Sequence, residues 1–448
     1  MKENVVKRLT NKEVFFYNWG SISLNFVEGV LFTWIMYFYA PPPDSGRPAF
    51  IPIIAVGIIL TIGRVFDAIT DPLIGHLSDN TKTRWGRRKP FIIFGTPFMI
   101  LFFLLLWLPP VSGVSMVNVV YLMVIFFFYF LFYTIIGIPY DAVLAEIALT
   151  SQDRVKLSSW KLIYAIIGFL LVALIAPGLF QNLGAFKMAL VTAAVGLVTM
   201  YLCLPGIKEL PLEFSRADVK IGFWDAFSAT FKNTQFLFFG IAIIALYMCY
   251  EVLLVVIPYF VTVIVGKEEA FVMYYQAEFI LCMVASVPLW MWLSHRYGKR
   301  SMLRVVSLLL AVFFPIIFFV GDIPGIPVMI QAFVFFPLVS VPLGGFMILV
   351  YAMMGDIVDY DQMLTGKRRE AMYYGVFGFS RKLGFALSTV LLPVLFKTFG
   401  YTKVNPLGIR LVWVMLGVFS LIGFFILLGY KLGDSPEETR KIMGISEQ

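Results

Sequence analysis

The sequence predicts an all-α membrane protein with twelve transmembrane helices. Of its 448 residues, 60% are hydrophobic and only 14% are charged, and the mean hydropathy is +0.88. A water-soluble protein of this length has too little interior to bury so much apolar surface. Stretches without any charged residue also recur, such as Pro90–Leu108. Each approaches the roughly 20 residues that cross a hydrocarbon core about 30 Å thick.

Twelve spans result when windows interrupted by one or two ionisable residues are included. In chain order they are predicted at 13–40, 50–78, 90–109, 117–147, 158–181, 186–205, 233–264, 270–294, 302–320, 327–358, 371–397 and 409–431. Most ionisable residues fall near the ends of these spans, and only a few fall inside. A charge at the bilayer centre costs about 2.5–3.5 kcal/mol on insertion scales, so the interior ones mark candidate functional sites.

The spans divide into two halves of six. We predict an N-terminal six-helix bundle at 1–205, a cytoplasmic linker at 206–232, and a C-terminal six-helix bundle with a short cytoplasmic tail at 233–448. Within the linker, the segment Trp224–Phe231 is amphipathic and is expected to lie on the membrane surface. In the tail, Ser435 followed by Pro and Glu is typical of a capped short helix.

The two halves repeat short motifs. Gly86 precedes a basic run after the second span, and Gly298 precedes one after the eighth. Glu146 ends the fourth span, and Asp356 stands at the end of the tenth. Both pairs are separated by about 210 residues, which indicates an internal duplication. A parallel six-plus-six repeat is typical of major facilitator transporters, in which the substrate site lies near the membrane midplane between the halves.

The net charge of +8 is explained by topology. Most of the 35 Lys and Arg residues lie at the termini and in the loops that twelve spans place on one side. This asymmetry follows the positive-inside rule and predicts an integral plasma-membrane protein with both termini in the cytoplasm. We therefore expect the lipid bilayer as surroundings and no nucleic-acid partner. The three cysteines lack paired spacing, and no catalytic or nucleotide-binding motif is present, so neither an enzyme nor an organic cofactor is expected.

The second span carries an acidic face, in "GRVFDAITDPLIG". Arg64, Asp67 and Asp71 are spaced by three and four residues and therefore share one side of a helix. Two carboxylates one turn apart offer oxygen ligands suited to Na⁺ or Li⁺. They could equally share a proton, because like charges at short range raise one pKa. A third interpretation is an Arg64–Asp67 ion pair that only fastens helices together.

The loop after this span, "GHLSDNTKTRWGRRKP", predicts a cytoplasmic gate. A carboxylate in a tight basic turn can pair with arginines or helix ends and hold one conformation until the halves move. The alternative is an ordinary positive-inside loop. The gating interpretation rests on the residues Gly75, Asp79, Gly86, Arg87 and Arg88.

Three separated segments carry a family resemblance: "GRVFDAITDPLIGHLSDNTKTRWGRRKPFIIFGTP", "IPYDAVLAEIALTSQDRVKLSSWK" and "GDIVDYDQMLTGKRREAMYYGVFGFSRKLG". In this order they resemble the glycoside–pentoside–hexuronide:cation symporters, the melibiose permease-like family. The resemblance implies that Asp67 and Asp71 bind the coupling cation, and that Thr134 of the fourth span adds a hydroxyl. Lys382 matches a family lysine near the sugar and cation sites.

The sugar pocket departs from the family pattern. Melibiose permease-like members place sugar-binding aspartates where this sequence has Asn25 and Gly137, and tryptophans where it has Asp141 and Met347. A galactoside therefore cannot be inferred. Other polar groups at similar depth complete a predicted substrate site, since tyrosine rings beside carboxylates suit a sugar's apolar and hydroxyl faces. The predicted substrate-binding residues are Asn25, Glu28, Tyr140, Asp141, Tyr250, Glu251 and Lys382.

Together these features predict a cation-coupled secondary symporter of sugars or glycosides that works by alternating access. The expected partners are a small-molecule substrate and a monovalent cation, Na⁺ or H⁺, and the expected state is a monomer. One alternative is a cation-coupled transporter of a lysolipid or another amphipathic organic solute. A different class is a channel or membrane sensor that transports nothing.

Overall fold

The structure is a computed structural model that describes residues 9–148, 150–209, 233–366 and 369–443. These residues form fourteen α-helices. In chain order the helices are α1 Asn11–Tyr39, α2 Ile53–Asn80, α3 Lys89–Leu105, α4 Met116–Ile147, α5 Ser151–Leu183, α6 Ala185–Leu202, α7 Thr234–Tyr259, α8 Val272–Ala285, α9 Val287–Tyr297, α10 Lys299–Ile317, α11 Val328–Thr365, α12 Glu370–Phe399, α13 Leu407–Leu427 and α14 Pro436–Met443.

The helices confirm the predicted all-α membrane architecture. Eleven helical segments in the described part of the chain are long and apolar enough to cross a membrane, and α3 is a shorter apolar helix of 17 residues. The chain is therefore an integral membrane protein. α7 continues into a wider helical turn over Phe260–Val265, so the seventh predicted span keeps its full length.

The eighth predicted span is broken, which the sequence reasoning missed. It consists of α8 and α9 separated at Ser286. The Ser286 hydroxyl donates to the carbonyl oxygens of Met283 at 2.7 Å and of Val341 on α11 at 3.0 Å. Pro288, at the start of α9, has no N–H for the helical ladder. A hydroxyl that bonds a neighbouring helix and a proline just beyond it together interrupt the helix.

The chain forms two compact units. The N-terminal unit comprises Met1–Asp218 and Glu268–Tyr274, and the C-terminal unit comprises Val219–Lys267 and Tyr275–Gln448. The linker predicted at 206–232 lies outside the described residues except for its first four positions. The same holds for its predicted surface helix.

Close helix packing in the N-terminal unit depends on small residues. A Cβ atom at Gly63 of α2 would lie 2.6 Å from the Phe126 ring of α4. At Gly196 of α6 it would lie 2.6 Å from Val27 of α1. Glycine lets the backbones approach where lipid supplies no hydrophobic driving force between helices. α1 is accordingly buried along most of its length.

The C-terminal unit is packed in the same way. α12 approaches α7 at Gly384, where a Cβ atom would lie 2.8 Å from the Ile244 carbonyl oxygen. All three cysteines are free, and Cys249 is fully buried among α7 and α13. The tail helix α14 begins as predicted, because Ser435 accepts a hydrogen bond from the Glu438 backbone N–H at 3.2 Å.

Candidate functional site

The acidic face of α2 is buried inside the N-terminal unit. Arg64 is 7% exposed and Asp67 is 1% exposed. Asp71 lies one turn further along the same helix and is partly buried. Pro72 follows directly and cannot donate a backbone hydrogen bond within the helix. The helix thus presents two carboxylates away from bulk solvent, where charge must be balanced by a partner or a bound cation.

Thr134 of α4 lies against this face, as the family resemblance implied. Its Oγ1 donates a hydrogen bond to Asp67 Oδ1 at 2.6 Å. Thr70, on the next turn of α2, lies 3.5 Å from the same hydroxyl. α2 and α4 therefore bring a carboxylate and two hydroxyls to one buried point. These are the oxygen donors that a small monovalent cation requires.

Arg64 connects this point to α1. Its Nη2 donates to Glu28 Oε1 at 2.7 Å, whereas its Nη1 lies 3.4 Å from Asp67 Oδ2. The guanidinium also stands over the rings of Phe32 and Phe130, at 4.2 and 5.2 Å from the ring centres. A guanidinium over aromatic faces is stabilised as a cation. Glu28, predicted as a substrate group, is thus bound to Arg64 in this structure.

Two further predicted substrate residues bond elsewhere within the N-terminal unit. The Asn25 amide donates to the Ser21 carbonyl oxygen on its own helix at 2.7 Å. Asp141, with its side chain 60% exposed, pairs with Lys161 of α5 at 2.6 Å. Lys161 was missed by the sequence reasoning. A lysine inside the fifth predicted span was the signal that could have revealed it.

The structure corrects the prediction that Tyr140 binds substrate. Its side chain is fully buried, and its hydroxyl donates to the Tyr17 carbonyl oxygen at 2.9 Å. The Tyr17 hydroxyl donates in return to the Tyr140 carbonyl oxygen at 2.8 Å, and the two rings stack with centres 4.7 Å apart. A Cβ atom at Gly20 would lie 2.5 Å from the Tyr140 ring. Tyr140 therefore joins α1 to α4, and its hydroxyl is committed to that contact.

The remaining predicted substrate residues belong to the C-terminal unit. Tyr250 and Glu251 lie on α7 and Lys382 lies on α12, and all three are partly buried. Because α12 approaches α7 closely at Gly384, these residues stand on two adjoining helices.

Three of the predicted gate residues belong to a charge cluster around the buried Glu146. Arg87 and Arg88 both bind the Glu146 carboxylate, the second of them at 2.8 Å. Arg88 also reaches Asp79 at 2.7 Å. Gly75, in contrast, lies where a larger residue would also fit, since a Cβ atom there would be at an ordinary van der Waals distance of 3.6 Å from Ile138. The structure thus brings Asp79, Arg87 and Arg88 together at one end of α2, α3 and α4.

Gly86 has a specific role in this cluster. It adopts φ +109°, a conformation that side chains rarely allow, and a Cβ atom there would lie 2.6 Å from the Glu209 carboxylate. That carboxylate accepts the backbone N–H groups of Arg87, of Arg88 at 3.0 Å and of Lys89 at 2.7 Å. Glu209 therefore caps the start of α3 from the linker, a partner that sequence reasoning missed.

The second half repeats the arrangement. Gly298 has φ +86°, and a Cβ atom there would collide with Asp434. Asp434 accepts the Lys299 backbone N–H at 2.7 Å, and the Lys299 side chain pairs with Asp356 at 2.6 Å. In each unit, a carboxylate that follows the sixth span caps the third. The sequence repeat is therefore also a repeat of contacts.

Two bundles of membrane helices, with buried carboxylates in a span and repeated charged loops, define a secondary transporter of the major facilitator type. Comparison with known proteins makes the class more specific. Residues 16–434 match the family described as MFS/sugar transport protein, and the chain belongs to that family. The predicted resemblance to glycoside:cation symporters is thereby confirmed.

Individual relatives agree with this membership. A symporter of Bacillus subtilis, YnaJ, is 26% identical over 94% of this chain and 91% of its own length. The glucuronide carrier protein homolog of Escherichia coli is 27% identical over 96% of this chain and 94% of its own. The crystal structure of the nucleoside transporter NupG has the same fold, with a TM-score of 0.67 and 12% identity over 94% of this chain and 99% of that one. The first two relatives are named as a symporter and as a carrier protein, and neither name denotes a lysolipid transporter or an enzyme.

Proposed function

We propose that the chain is a secondary symporter that moves a sugar or glycoside together with Na⁺ or H⁺ by alternating access. The observation that carries the proposal is the buried Asp67 carboxylate of a spanning helix, which accepts the Thr134 hydroxyl of α4 at 2.6 Å and pairs with Arg64 at 3.4 Å. Family membership and the names of its relatives support symport.

The acid pair suits either coupling ion. Asp67, Asp71 and the Thr134 hydroxyl supply hard oxygen ligands for Na⁺. Two nearby carboxylates can also hold one proton between them. Either ion would reduce the negative charge of the site, and the substrate would then bind to a site of altered charge. This coupling makes accumulation of substrate dependent on the ion gradient.

The proposed substrate contacts are polar groups of the membrane-spanning helices. They offer amide, carboxylate, hydroxyl and ammonium groups to sugar hydroxyls, and they are Asn25, Asp141, Tyr250, Glu251 and Lys382. Glycine at position 137 leaves open space on α4, since a Cβ atom there would meet no atom within 4 Å. We further propose a monomer in the cytoplasmic membrane with both termini in the cytoplasm, in keeping with the basic loops.

The test is a substrate search followed by a transport assay. The purified protein is screened by thermal unfolding against glycosides, hexuronides, pentoses and lysolipids, with and without Na⁺ and at several pH values. A ligand at 100 times its Kd stabilises by about 2.7 kcal/mol, which a melting assay resolves. Counterflow exchange in proteoliposomes then follows for each stabilising compound. The proposal expects a sugar-class compound that stabilises and exchanges. Stabilisation by lysolipids alone, or no exchange with any stabilising compound, would contradict it.

A further inference from the structure

The N-terminal unit carries an open groove at the end of α3 that lies away from the Glu146 charge cluster. α3 starts beside Arg88 of that cluster and ends shortly before Trp107, which lines the groove. The groove has a volume of about 520 Å³, within the roughly 300–1,000 Å³ typical of small-molecule sites. Its lining also includes the rings of Phe38 and Phe50, whose centres lie 5.2 Å apart. The Trp107 ring lies 5.4 Å from that of Phe38, so the groove offers an aromatic, apolar surface.

One wall of the groove is the turn between α3 and α4, and a single buried side chain holds it. Asn118 is fully buried, and its Nδ2 reaches the carbonyl oxygens of Phe50, Val111 and Gly113 at 3.1, 2.8 and 3.0 Å. Its Oδ1 accepts the Val111 backbone N–H at 3.1 Å. Phe50 and Val111 both line the groove. The groove is therefore built into the fold, because these hydrogen bonds fix its wall.

Lys187 is the charged residue among those that line the groove. It stands in the first turn of α6, its side chain is exposed, and no described carboxylate forms an ion pair with it. The helix begins at Gly184, which has no side chain to accept the first backbone N–H groups. Those N–H groups carry partial positive charge, which opposes a lysine in the same turn. An anion beside Lys187 would balance both.

The exposed face of α6 continues from Lys187 as an apolar stripe. Val191 and Val198, four and eleven residues further along, lie on the same face of the helix, and both are exposed. The opposite face packs on α1, where a Cβ atom at Gly196 would touch Val27. In an integral membrane protein, an exposed apolar stripe on a spanning helix lies against acyl chains. Hydrocarbon thus covers the surface that leads away from the lysine.

A ligand with an anionic head and a hydrocarbon chain fits both the lysine and the apolar groove. We propose that the groove binds one anionic phospholipid, with its phosphate beside Lys187 and an acyl chain against the aromatic rings and α6. A zwitterionic lipid brings the same phosphate but no net negative charge, so it should bind more weakly. The site lies outside the acidic face of α2, and the proposal assumes nothing about the transported substrate.

The experiment counts lipids bound to the purified protein by native mass spectrometry. The protein is titrated with palmitoyl-oleoyl phosphatidylglycerol and, separately, with the phosphatidylcholine that has the same chains. The wild type should bind one phosphatidylglycerol at least about fivefold more tightly than phosphatidylcholine, which is the effect of one basic residue near an anionic headgroup. Lys187→Gln should remove this preference and leave phosphatidylcholine binding unchanged. Ser112→Trp, which adds a ring to the exposed wall of the groove, should weaken binding of both lipids at least about threefold.

The matched control is Lys397→Gln, the same change at an exposed lysine in the last turn of α12, which should keep both affinities. Thermal unfolding identifies the variants that are folded. Equal binding of the two lipids by the wild type would overturn the proposal, as would an unchanged preference in folded Lys187→Gln. Unchanged binding in folded Ser112→Trp would place the lipid outside the groove and refute it as well. Displacement of phosphatidylglycerol by an equal concentration of inorganic phosphate would also refute it, because phosphate alone would then be the ligand.

Discussion

Replacing Glu209 by glutamine should open the start of α3. The carboxylate accepts three successive backbone N–H groups, at Arg87, Arg88 and Lys89, at the positive end of the helix. Glutamine offers one acceptor oxygen, and its NH₂ group would face a donor. Losing one charge-assisted hydrogen bond costs about 1.5–3 kcal/mol. We therefore expect local opening to become easier by about 2 kcal/mol, which corresponds to roughly a thirtyfold larger open population.

Hydrogen–deuterium exchange of the protein in lipid nanodiscs measures this opening. Peptides covering positions 87–89 should exchange roughly thirtyfold faster in Glu209→Gln than in the wild type. The C-terminal unit supplies an internal comparison, because the equivalent Asp434 accepts one backbone N–H, from Lys299, in a more exposed setting. Asp434→Asn should therefore accelerate exchange at Lys299 by a smaller factor. Unchanged exchange at 87–89 in a folded Glu209→Gln protein would refute the capping role.

Two further predictions concern the gate cluster and the corrected tyrosine. Arg87→Gln should lower the free energy of unfolding by about 3 kcal/mol, the low end for breaking a buried ion pair, since a second arginine still contacts Glu146. Asp79→Asn should lower the free energy of unfolding by less than about 1 kcal/mol, because the Asp79 side chain is 56% exposed. Equal losses of unfolding free energy for the two variants, measured by chemical denaturation, would contradict this prediction. Tyr140→Phe should cost about 1 kcal/mol of stability and leave substrate affinity unchanged. Asp141→Asn should weaken substrate binding at least threefold, as measured by calorimetry. If Tyr140→Phe weakened substrate binding and Asp141→Asn did not, Tyr140 would belong to the binding site.

The positions of the membrane helices could be predicted because hydrocarbon acts on every residue of a span. Apolar length alone located each span, and helical spacing placed Asp67 and Asp71 on one face. The break at Ser286 could not be predicted in this way. It depends on a hydroxyl reaching the Val341 carbonyl oxygen of a helix distant in sequence. Local propensity contains no information about such a contact.

The same limit explains the errors within the candidate site. Sequence spacing gives the face of a helix but not the partner across the gap. Tyr140 was therefore assigned to substrate, although its ring packs against Tyr17 and its hydroxyl donates to the Tyr17 carbonyl oxygen. Thr134 lies beside Asp67, where the family pattern puts it, and its role in cation binding stays a prediction. No motif in the sequence points to Glu209, because its three contacts are with backbone N–H groups about 120 residues earlier in the chain.

The most direct test of the central claim compares gradient-driven accumulation with counterflow in proteoliposomes. The comparison uses the wild type, Asp67→Asn and Asp71→Asn, with Asp322→Asn at an exposed loop of the C-terminal unit as the matched control. We predict that both acid-pair variants lose accumulation driven by a Na⁺ or pH gradient while remaining folded and inserted. The control should accumulate substrate like the wild type. Concentrative uptake at the wild-type level by Asp67→Asn and Asp71→Asn would contradict the assignment of the coupling site.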